Sequence, residues 1–296
     1  MASPELQMVN DLLRGVELSG GTLEERRAGM EAVATPPPDG TAVETVDAGG
    51  VPAEWTVAPG VDTARVIVYL HGGGYAIGSL DTHRRLVSLV SGAANARVLN
   101  VDYRLAPEHP HPAAVDDACA AYRWVLANGT PPSAVAIAGD SAGGGLTLAT
   151  LLALRDAGDP MPAAAVPLSP WADLELTGDS VRTCAETDLM CTVDGLKEMA
   201  DWYASGRDLR HPYISPVYGD PAGLPPLYLL AGGAEILRDD AVRVAEAARA
   251  RGVDVTLEVW DDMPHVFPAF AGLLPEADQA IERIGAWLDE KLSRDA

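Results

Sequence analysis

Two apolar rhythms alternate along most of the chain. In one, short runs are almost wholly apolar: Arg65-Val66-Ile67-Val68-Tyr69-Leu70, then residues 97–101, 134–138, 163–168, 227–231 and 255–260. Such runs, bounded by glycine, proline or aspartate, predict strands buried on both faces. In the other, apolar side chains return every three or four residues, which is the stripe a helix turns toward a core. That spacing predicts helices from Asp81 or Thr82 to Val90, over 113–127 with Val115, Ala118, Cys119, Tyr122 and Leu126 inward, from Leu146 to Leu154, over 240–250 and over 276–292. Strands alternating with helices predict a mostly parallel sheet with helices on both faces. Residues 42–57 read instead as a hairpin turning at Asp47-Ala48-Gly49-Gly50.

Two stretches stand outside this alternation. Residues 5–18 put Leu6, Val9, Leu13 and Val16 on one helical face, and Thr22 with Glu25 three residues on is a capping box for a second helix, stopped by Pro36-Pro37-Pro38. Both helices precede every strand, so they are expected to lie over the domain. Residues 174–212 show no strand pattern and carry one short helix with Leu196, Met199, Trp202 and Tyr203. A long insertion of this kind in a compact domain is often a lid or a binding element. The expected division is therefore 1–40 and 174–212 as cap segments, with 41–173 and 213–296 as the two parts of one α/β core.

Composition narrows the partners. At 48% hydrophobic residues, 296 residues can bury a large single core. The formal net charge of −22 argues against nucleic acid, whose phosphates need a basic surface. No apolar stretch approaches the ~20 residues that span a bilayer, and Met1 to Gly20 lack the basic start and apolar centre of a signal peptide. Three cysteines cannot all pair with one another, and Cys184 and Cys191 lack a CxxC spacing, so free thiols in a reducing cytoplasm are expected.

The chemistry gathers where strands end. The run 134–138 leads straight into Gly139-Asp140-Ser141-Ala142-Gly143 and then a helix. Strand, sharp turn and helix around Gly-x-Ser-x-Gly describe a nucleophile elbow, in which glycines leave room beside a serine held in strained dihedrals. The run 65–70 ends in His71-Gly72-Gly73-Gly74-Tyr75, a bare backbone whose N–H groups can approach a ligand oxygen. The last strand ends in Asp261-Asp262-Met263-Pro264-His265. A serine hydroxyl needs a base, and the base an orienting carboxylate. His265 is the candidate base; Glu235, Asp239 and Asp240, after the run 227–231, are candidate acids. Asp239 and Asp240 also sit at a predicted helix start, where capping alone favours carboxylates. His109 and His111 flank prolines in a turn and are read as structural.

His71-Gly72-Gly73-Gly74, Tyr103-Arg104-Leu105-Ala106-Pro107-Glu108, Gly139-Asp140-Ser141-Ala142-Gly143 and the Met263-Pro264-His265 turn together resemble the hormone-sensitive-lipase family of α/β-hydrolase esterases, in its bacterial form. The resemblance implies an eight-stranded, mostly parallel sheet, a helical cap, and hydrolysis of small carboxyl esters without metal or cofactor. It gives Ser141 as nucleophile and places Glu235 where the family's motif usually carries its catalytic aspartate. It assigns the oxyanion hole to Gly73 and Gly74, joined by Ala142 after the nucleophile. A homodimer is compatible with it, and neither nucleic acid nor membrane is implied. Two other activities share the fold: a ligand receptor that has lost the histidine, and a serine peptidase with an added propeller, for which the chain has no room.

Overall fold

The computed structural model describes residues 3–15 and 21–292. Two helices come first, α1 (Pro4–Arg14) and α2 (Leu23–Ala32), followed by β1 (Ala42–Asp47), β2 (Pro52–Val57), β3 (Val66–Leu70) and α3 (Leu80–Ala93). Then come β4 (Arg97–Val101), α4 (Ala113–Ala127), β5 (Val135–Asp140), α5 (Ala142–Ala157) and β6 (Ala164–Leu168). Two helices without an intervening strand follow, α6 (Ser180–Thr183) and α7 (Val193–Ala204). The chain closes with β7 (Leu227–Gly232), α8 (Arg238–Ala250), β8 (Val255–Trp260) and α9 (Pro275–Lys291).

The strands form one eight-stranded sheet in the order β1-β2-β4-β3-β5-β6-β7-β8. The predicted hairpin β1–β2 joins it antiparallel through β4, and from β4 onward every pairing is parallel. Alternation along β3 shows why its side chains are all apolar: Val66, Val68 and Leu70 pack into one core, Ile67 and Tyr69 into a second on the opposite face. The first core holds α4, α5, α7 and α8 against the sheet; the second holds α1, α3 and α9. The edge strand β1 is almost wholly exposed, and its alternation is accordingly weak.

Helix ends follow their caps. Thr22 and Glu25 form the expected capping box of α2. The start of α3 is corrected: Ser79, not Asp81 or Thr82, is the N-cap, and Thr82 answers it from three residues on. Val16, which the periodicity put on the buried face of α1, lies outside the described residues; Leu6, Val9 and Leu13 are buried as expected. Among the described residues no helix is long and apolar enough to cross a membrane.

Candidate active site

Ser141 ends β5 and starts α5. Its backbone stands at φ 54°, ψ −120°, a left-sided conformation that a side chain resists. Three backbone bonds over-determine it: Ser141 N–H donates to Leu168 O at 2.8 Å, and Trp171 and Gly145 N–H donate to Ser141 O at 2.9 and 3.0 Å. The flanking glycines are forced by space. A methyl group on Gly143 would stand 1.9 Å from the Leu70 carbonyl oxygen, and one on Gly139 2.5 Å from the same atom. The turn is therefore wedged against β3, with no room for a side chain at either glycine.

His265 lies in the loop after β8, and its Nε2 stands 2.9 Å from Ser141 Oγ. Its Nδ1 is hydrogen-bonded to Glu235 Oε2, while Glu235 Oε1 accepts the Gly232 N–H at 2.5 Å. Glu235 has no exposed surface and His265 has 3%. Burial pulls the imidazole pKa down, but Cys191 and the Glu235 carboxylate oppose it and hold it well above the ordinary histidine value. The next residue, Val266, sits at φ 49° although it is β-branched, and its N–H donates to Ser169 Oγ at 3.1 Å. A second strained backbone thus aims the imidazole.

Of the three candidate acids only Glu235 reaches His265. Asp239 accepts the Ser180 N–H at 2.8 Å, and Asp240 accepts the N–H groups of Ala172 and Asp173, each at 2.8 Å. Those two carboxylates fasten neighbouring loops. His109 is exposed, and His111 is buried edge-on against Tyr203, 5.7 Å between ring centres.

The glycine loop after β3 faces the elbow. Gly72 N–H is shared between Asp140 Oδ1 and His83 Nε2, each at 3.2 Å; Asp140 Oδ1 also accepts the Tyr69 hydroxyl at 2.8 Å, and His83 Nε2 lies 3.3 Å from the other Asp140 oxygen. His71 stacks on Tyr103 at 4.4 Å, and Tyr103 donates to His71 O at 2.7 Å. Burial is the main cause that lowers the His71 pKa to about 3, so its ring is neutral packing. Gly73 and Gly74 N–H donate to no acceptor among the described residues, and Ala142, as the first helical residue, has an N–H that its own helix cannot satisfy. Sequence reasoning missed Asp140 and His83. The signal was there for Asp140, a charged side chain closing an otherwise apolar buried strand; His83 carried none.

A hydroxyl within hydrogen-bond distance of an imidazole that is backed by a buried carboxylate can be deprotonated as it attacks a carbonyl carbon. Among the described residues no group of three or more His, Cys, Asp or Glu side chains is arranged to hold a metal ion.

Comparison with known proteins agrees with this geometry. Residues 67–269 match the family described as alpha/beta hydrolase fold. An acetyl-hydrolase of Streptomyces hygroscopicus is 46% identical over 97% of both chains. The crystal structure of an esterase from the bacterial hormone-sensitive lipase family is 48% identical, covers 99% of this chain and all of its own, and superposes with a TM-score of 0.97. The esterase EstE5, in crystals soaked with p-nitrophenyl butyrate, is 49% identical over 98% of this chain and 99% of its own, with a TM-score of 0.95. By fold, site geometry and sequence, the chain belongs to the bacterial hormone-sensitive-lipase type of α/β-hydrolase esterases.

Proposed function

We propose that this esterase cleaves short to medium acyl esters through an acyl-enzyme, with Ser141 as nucleophile, His265 as base and Glu235 as acid. The observation that carries the assignment is the unbroken chain of contacts from Ser141 Oγ through His265 to the buried Glu235. Ser141 Oγ attacks the ester carbonyl carbon while its proton passes to His265 Nε2. The N–H groups of Gly73, Gly74 and Ala142 receive the oxygen that becomes an anion, and each donor is worth roughly 3–4 kcal/mol of barrier. Collapse of the tetrahedral intermediate breaks the bond to the alcohol, which leaves with the proton from Nε2. Water then repeats the sequence on the acyl-enzyme, releasing the acid and restoring Ser141. Glu235 keeps the imidazole oriented and offsets its positive charge while that charge lasts.

In this reading residues 1–40 and 174–212 form a cap over the core. For the 174–212 part the support is the way α7 meets the glycine loop: Met199 Sδ lies against Gly74, and Tyr203 stacks on Tyr75 with 3.8 Å between ring centres. A roof seated this closely makes a closed pocket. Each buried methylene of an acyl chain gains about 0.8 kcal/mol until the pocket is full, and nothing beyond. The free thiols Cys119, Cys184 and Cys191 support a cytoplasmic setting, the charge of −22 speaks against nucleic acid, and a homodimer fits the same reading. His265 in contact with Ser141 favours an enzyme over a receptor.

The test is kcat/KM on p-nitrophenyl esters from acetate to palmitate, with Ser141→Ala as the blank. The value should peak at short to medium chains, and an organophosphate should label Ser141 alone. A steady rise to palmitate, with activation at an emulsion interface, overturns the closed pocket; unchanged turnover in Ser141→Ala overturns the nucleophile.

A further inference from the structure

Glu235 sits on a loop whose backbone is held from outside. The side chains that hold it all come from residues 180–191, on the stretch between β6 and β7. Thr187 Oγ1 donates to Ala234 O at 2.9 Å, and Ser180 Oγ donates to Ile236 O at 2.7 Å. Between them Asp188 Oδ2 accepts the Ile236 N–H at 2.8 Å. Both peptides beside Glu235 are therefore fastened by the same short segment. The other oxygen, Asp188 Oδ1, accepts the N–H groups of Met190 and Cys191, each at 2.9 Å, so it shapes the turn that carries Cys191 toward His265.

Asp188 is an expensive choice for a mere fastener. It is a carboxylate with 9% of its surface exposed, set where its charge opposes that of Glu235. Three N–H groups compensate it, and no uncharged side chain could accept all three: an asparagine has one acceptor oxygen, and its amide nitrogen would face a donor. Glutamate at the acid position sharpens the need. Its side chain has one more rotatable bond than aspartate, so holding its carboxylate on Nδ1 demands a more rigid backbone beneath it.

We infer that Asp188 is a positioning residue of the reaction, fixing the Glu235 carboxylate on His265 by clamping the Ile236 peptide to the 188–191 turn. The inference rests on Glu235 being the acid. The groups facing the Glu235–His265 pair are Asp188 and Cys191 from this segment and Ser141 from the elbow. Asp188 acts only through Glu235, so the two must not be independent in kinetics.

The experiment measures kcat, KM and the pH profile of kcat/KM on p-nitrophenyl acetate for wild type, Asp188→Asn, Glu235→Gln and the double variant. Asp188→Asn should lower kcat by about 10- to 100-fold with KM little changed, as a misplaced catalytic group does. Its acid limb should move to lower pH, because the imidazolium loses a well-placed Glu235 partner. The double variant should be no slower than Glu235→Gln alone. If Glu235→Gln keeps wild-type kcat, the acid assignment itself is wrong. If Glu235→Gln is crippled while Asp188→Asn is not, or while the two losses multiply, the acid stands and the positioning role falls. Should Asp188→Asn fail to fold, Asp188→Glu decides: its carboxylate keeps the charge but is advanced by a methylene, so kcat must drop at unchanged KM, and wild-type kcat refutes the role.

Discussion

At the scale of single residues, the decisive quantity in the proposed mechanism is the protonation of His265. Burial lowers its pKa, while Cys191 and Glu235 raise it, and the net direction is upward. Only the neutral ring can take the serine proton, so kcat/KM must fall as pH drops through that raised value. The midpoint of the acid limb is expected above about 6.5, the ordinary histidine value, and Glu235→Gln should move it down. A profile flat from about pH 5 to 9, measured with the fold intact, would exclude a histidine base. The proposed nucleophile and base, Ser141 and His265, were legible in the sequence as candidates because each stands in a short motif at the end of a strand. The proposed acid was less so. Glu235, Asp239 and Asp240 crowd one turn, and only three-dimensional reach separates the one that meets His265 from the two that hold Ser180 and the 172–173 backbone. Asp188 was out of sight altogether, because its bonds run to backbone N–H groups that leave no trace in residue type.

At the scale of elements, the elbow depends on how closely α5 approaches β3. Gly143→Ala would put a methyl group 1.9 Å from Leu70 O, in backbone that cannot yield cheaply. It should cost at least the roughly 1–3 kcal/mol of an overpacked core and lose activity with it. Gly29→Ala is the contrast. Gly29 lies inside α2 with nothing within 4 Å of the added carbon, so alanine should stabilise by about 0.5–1 kcal/mol through helix propensity alone. Urea unfolding of both variants checks the pair; equal effects would mean that the contact at Leu70 is not tight. Elements were the most readable level. Buried strands and amphipathic helices have distinct periods, and the predicted strands appear within a residue or two. Boundaries failed at Ser79, whose side chain caps α3 ahead of the expected residues, and at Arg238, where α8 begins two residues ahead of the expected start with no side-chain cap.

At the scale of the whole molecule, alternation gave a parallel sheet but could not give its order, since nothing local says that β4 lies between β2 and β3. Nor could it show how the N-terminal helices are tied down. Arg27 of α2 makes a forked pair with Glu108 at 2.7 and 2.8 Å and also donates to Ala76 O and Ala106 O, at 2.9 and 3.2 Å. Glu108 is half exposed, so the ion pair itself should contribute only about 0–1 kcal/mol. The two carbonyl bonds are part-buried and lost only with the arginine. Arg27→Gln should therefore destabilise by roughly 1–3 kcal/mol, clearly more than Glu108→Gln. Equal thermal shifts for the two would put the whole effect in the ion pair. The strained backbones at Ser141 and Val266 reach further than catalysis. A laboratory lineage selected only for surviving heat would find some of its cheapest improvements there, by letting those two residues relax. It would drift toward a durable protein that no longer cuts esters, so turnover has to be scored in every round of such a search.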